Sequence, residues 1–167
     1  FSFTFLVPKD IQYAYGEGRI SYYSENGISD ATGYFESFVI GGSSDSIFSD
    51  NNGPQIRLYM NDEDFLSGGT TDENPILIAL LNDEQGINTV GNGIGHDITV
   101  ILDGNTGNSV VLNDYYESDL DSYKSGRVSY PFYALSNGVH TIEFNAWDIL
   151  NYSSSSSLEF IVAPSSE

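Results

Sequence analysis

The apolar run Ile76-Leu77-Ile78-Ala79-Leu80-Leu81 constrains this chain more than any other stretch. It is too short for a typical helix, and it stops on Asn82-Asp83 with Gly86 just beyond. That pattern predicts a buried strand running into a polar turn at one end of a β-sandwich. A later stretch, Thr141 to Asp148, repeats the theme. Ile142, Phe144 and Ala146 alternate with polar residues and mark an inward face, and the stretch again ends on an aspartate. Two strands that each deliver an aspartate to a loop speak first to architecture and only then to chemistry.

Composition agrees. With 167 residues, 40% of them hydrophobic, the chain is long enough for one good core or two small ones. Aromatics are mostly Tyr and Phe, suited to half-buried sheet positions, and the 17 Gly supply turns. No long 3.6-residue periodicity appears, so the class is all-β. A formal charge of −19 argues against binding nucleic acid or an anionic membrane surface, both of which call for Lys and Arg. It leaves solubility, a divalent cation or a basic partner as the roles for the acids. The absence of Cys removes disulfides, thiolate metal sites and a cysteine nucleophile together. There is no signal-peptide or membrane-spanning pattern. Because the sequence opens on Phe1-Ser2-Phe3-Thr4-Phe5, already alternating as a strand does, it reads as a fragment of a longer protein.

Taken in order, Phe1, Phe3, Phe5 and Val7 share one face of a strand that Pro8 ends, and Ile11 to Tyr15 continues extended. Arg19 to Tyr23 and Tyr34 to Ile40 are two further strands, separated by a polar loop from Glu25 to Thr32. Residues 1–48 are thus expected to hold the last three strands of a second, truncated β-sandwich plus a linker. Pro54 then opens a new unit, and 49–163 are expected to form an immunoglobulin-like antiparallel β-sandwich, with 164–167 as a linker tail. Its strands are Gln55–Met60, Ile76–Leu81, His96–Leu102, Ser109–Leu112, Arg127–Phe132, Val139–Trp147 and Leu158–Val162. Asn61 to Asn74 and Asn113 to Ser125 read as acidic loops, and the serine run Ser153 to Ser157 as a loop. Strands at this density over roughly 100 residues match an immunoglobulin-like sandwich, with Trp147 and Leu135 in or near the core.

Strand parity gives geometry. If each strand reverses the last, Asp50, Asp83 and Asp148 gather at one pole, with Asp114, Glu117, Asp119 and Asp121 from the Asn113–Ser125 loop. Clustered carboxylates repel unless spacing, protonation or a cation offsets the cost. Calcium accepts carboxylate and carbonyl oxygens from loops, which makes Asp50, Asp83 and Asp148 candidate ligands beside the junction with the preceding strands. The competing role is turn capping, favoured by the lack of a contiguous D-x-D-x-D-G loop.

Other chemistry is sparse. By parity His96 lies at the acidic pole and His140 near the other, which argues against a shared metal or dyad. His140 follows Gly138 where related sandwiches place a tyrosine corner, and so reads as structural. No Gly-x-Ser-x-Gly elbow occurs. Tyr115, Tyr116, Tyr123, Tyr130 and Tyr133 raise an alternative from another class, a carbohydrate-binding module, against their ordinary role in strand and loop packing. Asn151-Tyr152-Ser153 matches a glycosylation acceptor, a pattern of little meaning in a bacterial chain.

Longer motifs carry a resemblance. Phe5-Leu6-Val7-Pro8-Lys9-Asp10-Ile11, Gly18-Arg19-Ile20-Ser21-Tyr22-Tyr23 and Ile40-Gly41-Gly42 are followed by Gly53-Pro54-Gln55-Ile56, Gly93-Ile94-Gly95-His96-Asp97, Leu112-Asn113-Asp114-Tyr115-Tyr116, Gly138-Val139-His140-Thr141 and Ala146-Trp147-Asp148. This set resembles the C-terminal region of the PorU sortases, gingipain-type cysteine peptidases of the type IX secretion system in Bacteroidetes. The resemblance implies a cell-surface, outer-membrane location. It also implies a parent that cleaves the C-terminal signal from secreted cargo, links the cargo to anionic lipopolysaccharide and works with a PorV-like outer-membrane barrel. The family's catalytic His and Cys lie in an upstream peptidase domain, and no residue here takes over the nucleophile. The expectation is a non-catalytic, not membrane-inserted fragment that positions that peptidase.

Overall fold

The computed structural model describes residues 14–42, 51–90 and 95–163. The expected strand from Phe1 to Val7, the linker from Ser43 and the candidate ligand Asp50 lie outside the described residues. Two compact units divide the chain, one within Ile11–Ser49 and one that includes Asp50–Glu167.

In the first unit β2 (Ile20–Glu25) and β3 (Asp30–Phe35) form an antiparallel hairpin, and β1 (Gly16–Glu17) pairs with β4 (Val39–Ile40). The expected strand Tyr34 to Ile40 is therefore two strands, and one of them begins earlier. Asn26 explains the early start. Its side-chain oxygen accepts the N–H groups of Ile28 and Ser29, and Gly27 adopts φ +79°, so the turn closes quickly and pairing resumes at Asp30. Between β3 and β4 the rings of Phe35 and Phe38 stack at 5.7 Å.

The second unit is the all-β sandwich. One sheet has the order β10 (Tyr116–Ser118), β11 (Ser125–Pro131), β7 (Ile76–Asn82), β5 (Gln55–Met60). The other runs β6 (Gly69–Thr71), β13 (Ser153–Val162), β12 (Gly138–Trp147), β8 (Thr99–Leu102), β9 (Val110–Val111). The first order reproduces the A-B-E-D sheet of an immunoglobulin domain, and β13-β12-β8 its G-F-C sheet. All pairings are antiparallel except β6 with β13.

Alternation fixes the register. His140, Ile142, Phe144 and Ala146 of β12 face inward, as do Leu158, Phe160 and Val162 of β13 and Leu77, Ala79 and Leu81 of β7. They enclose a core with Leu58, Met60, Ile98, Val100, Leu112 and Val128. A one-residue slip of β12 would turn Phe144 outward and Glu143 inward, so this register is the only one compatible with burial. Leu135 packs against the core, and Trp147 is half-buried at its rim.

Three loop assignments are corrected. The serine run is the first half of β13, because β12 offers it a full-length partner, from Trp147 opposite Ser153 to Gly138 opposite Val162. Ser154 and Ser156 are only half-buried, so their hydroxyls are not stranded in the core, and Ser155 Oγ donates to Asn145 Oδ1. Within Asn61–Asn74, β6 joins β13 in parallel. Within Asn113–Ser125, β10 takes the place beside β11, while the expected Ser109–Leu112 strand shrinks to Val110–Val111 and joins β8 in the other sheet. Gly126 permits the β10 contact, since a Cβ there would run into the Tyr116 hydroxyl and the Glu117 carbonyl.

Candidate functional site

Parity does bring Asp83 and Asp148 to one pole. β7 ends at Asn82 opposite Gln55 and Ser125, the starts of β5 and β11, and β12 ends at Trp147 opposite Ser153. The two loops then touch. Ile87 bridges Asp148, the Ile149 N–H donates to the Gly86 carbonyl at 3.1 Å, and the Asn88 N–H to the Trp147 carbonyl at 2.9 Å.

Both carboxylates are buried, Asp148 completely. Asp83 Oδ1 accepts the N–H groups of Gln85 (2.7 Å) and Gly86 (3.0 Å). Asp148 Oδ1 accepts that of Tyr152 at 2.7 Å, while the Asp148 N–H donates to the Tyr152 carbonyl. A carboxylate that takes backbone donors closes its own turn. Gly86 (φ +120°) completes the first turn, with the Tyr123 ring where a Cβ would point. Among the described residues no group of three or more His, Cys, Asp or Glu is placed to hold a metal ion.

The other acids spread out. Asp119, whose N–H donates to the Ser125 carbonyl, and Asp121 sit on the β10–β11 turn at this pole. Glu117 lies within β10 opposite Arg127. Asp114 belongs to a short 3-10 turn, Asn113–Tyr115, which the neighbouring Asn113 anchors. Asn113 Oδ1 accepts the Ile98 N–H and its amide donates to the Thr89 carbonyl, a tie that sequence reading missed because the partners are distant in the chain.

His96 and His140 are separated as expected. His96 lies against the Trp147 ring, centroids 4.3 Å apart, at the acidic pole. His140 sits at the far end of β12 and bonds Asp103 and Ser136. The tyrosines form no common platform. Tyr115, Tyr130 and Phe132 meet edge to face at 5.0 and 5.2 Å, the geometry of aromatic packing. Tyr123 packs over Gly86, and Tyr133 is exposed. Tyr116 is half-buried; burial above all, opposed by Ser118 and reinforced by the Asp119 charge, pushes its phenol up to about 12. It is a neutral packing residue.

These features define the class first: an immunoglobulin-like sandwich module whose buried aspartates close turns. The particular relationship comes from comparison. PorU from Porphyromonas gingivalis, solved as a dimeric latent form, matches 98% of this chain with a TM-score of 0.68 and 34% identity. The chain is PorU-like and corresponds to that protein's C-terminal region. It spans only 15% of PorU's length. A looser match to CopC from Methylosinus trichosporium OB3b covers 66% of this chain and 98% of CopC, at 14% identity and a TM-score of 0.39, too low to bear on fold or function. No protein-family model and no curated protein matches.

Proposed function

We propose that this chain is a non-catalytic positioning module of a PorU-like sortase of the type IX secretion system. It would hold an upstream cysteine peptidase domain of the same protein in place at the outer face of the outer membrane. There the parent would remove cargo C-terminal signals and attach the cargo to the cell surface. The observation that carries this reading is 34% identity to PorU over 98% of the chain. The lack of Cys supports it, because a cysteine nucleophile has to lie outside these 167 residues. The described residues contain no helix long and apolar enough to cross a membrane.

With a charge of −19, the module suits a basic patch on a PorV-like barrel, on cargo or on the peptidase domain. Pull-down of a PorV-like barrel or a secreted cargo protein by the immobilised chain tests this. The expected result is capture that fades at high salt. Absence of capture at low salt, or peptide cleavage by the chain alone, would overturn it. The calcium reading of Asp50, Asp83 and Asp148 is tested on the same material. A calcium-dependent rise in Tm that Asp148→Asn removes supports it, whereas an unchanged Tm leaves turn closure as the role of Asp83 and Asp148.

A further inference from the structure

His140 begins the inward row of β12 and is 6% exposed. Both of its ring nitrogens face acceptors. Nδ1 lies 2.8 Å from Asp103 Oδ2, and Nε2 lies 2.7 Å from the Ser136 carbonyl. A neutral imidazole carries one N–H and one lone pair, so it donates to only one of them; the imidazolium donates to both. Asp103 is held in place independently of the ring. Its Oδ1 accepts the Thr141 N–H at 2.9 Å, and its own N–H donates to the Thr141 carbonyl at 2.7 Å. The face of the imidazole stacks on Phe160, centroids 5.5 Å apart.

The bond from Nε2 reaches a carbonyl four residues upstream, at the corner where β11 gives way to β12. In immunoglobulin-like sandwiches a tyrosine hydroxyl makes the equivalent bond. A phenol keeps its proton to about pH 10. An imidazole placed between two acceptors makes both bonds only while it is a cation.

We propose that His140 is a proton-operated form of this corner: its imidazolium ties Ser136 to the Asp103-Gly104 turn, and loss of the proton releases one tie and loosens this end of the sandwich. Three elements pack around the ring. The turn after β8 presents Asp103, the corner presents the Ser136 carbonyl, and β13 presents the uncharged Phe160. Asp72 and Glu73 sit on the loop that the corner also touches, through the Leu135 N–H to Glu73 carbonyl bond. Asp103 is 46% exposed, so solvent protons reach the pair. Burial opposes the charge, but the Ser136 carbonyl and then Asp103 outweigh it and hold the imidazole above its ordinary 6.5. With the folded value above the unfolded one, the tie stabilises fully below 6.5 and is lost as pH rises through the folded value.

Ring-nitrogen NMR on the whole chain tests this, with His96→Gln assigning the two histidines. The expected spectrum at about pH 5 shows both His140 nitrogens protonated, with a titration above 6.5 that moves down in Asp103→Asn. His140→Tyr should keep the corner bond and flatten the fall in Tm between about pH 6 and pH 9. A titration at or below 6.5, or the same alkaline fall in His140→Tyr as in the parent, would each overturn the proposal. Should His140→Tyr fail to fold, the ring titration of the parent decides, together with amide exchange at Ser136–His140 across it.

Discussion

The sandwich and the Gly16–Ile40 unit obey the same backbone rule and reach opposite results. Both pair their strands in register, and antiparallel in every ladder but that of β6 with β13. In the sandwich that pairing points Phe144, Phe160, Leu77 and Met60 into a core with no accessible surface. In the smaller unit Tyr22, Tyr23, Tyr34, Phe35, Val39 and Ile40 are all exposed, and among its described residues only Gly18 is buried. Ladder hydrogen bonds make strands, but a second layer makes a domain. A lone hairpin removes too little apolar surface from water to offset the entropy of ordering it.

The sharpest test of that contrast is Phe144→Ala. It empties the centre of the core and should cost the sandwich about 3–5 kcal/mol, read by urea unfolding. A loss below about 1 kcal/mol would mean that the core does not carry the unit. Asp148→Ala comes next, since it withdraws the acceptor for the Tyr152 N–H at a fully buried site; a loss of about 1–3 kcal/mol is expected, with faster amide exchange at Tyr152. Smallest should be Tyr22→Ala in the hairpin, within about 0.5 kcal/mol on the sandwich transition. A larger shift there would break the comparison, because it would show that the exposed hairpin and the sandwich share stability.

Where burial sets the pattern, the sequence was readable. Gln55–Met60 emerges with its expected bounds, and Ile76–Asn82 and Gly138–Trp147 differ by a single residue, because each alternates or runs apolar strongly enough to leave one register. The serine half of β13 was not readable. Its composition says loop, and only the partner strand, absent from any local window, makes it a ladder. The exchange of roles between Val110–Val111 and Tyr116–Ser118 was hidden for a similar reason, since strands this short take their sheet from their neighbours. At the site, parity foretold that Asp83 and Asp148 meet. Turn capping, weighed there against calcium, foretold backbone donors but not which amides, because turn closure depends on local φ and ψ. The pairing of His140 with Asp103, 37 residues apart, left no trace in spacing.

The serine strand has one more consequence. Among the described residues, Ser153 to Leu158 pairs with β12 on one side, while on the other β6 reaches Phe160 to Val162 and the Gly53 backbone lies against Ser153 and Ser154. Natural sheets usually guard such a margin with lysine, proline or a bulge, and this one offers five small uncharged side chains. Chains of −19 each repel one another. That repulsion reaches about 10 Å at 0.1 M salt and about 3 Å at 1 M. Charge therefore opposes close approach of two copies least in brine.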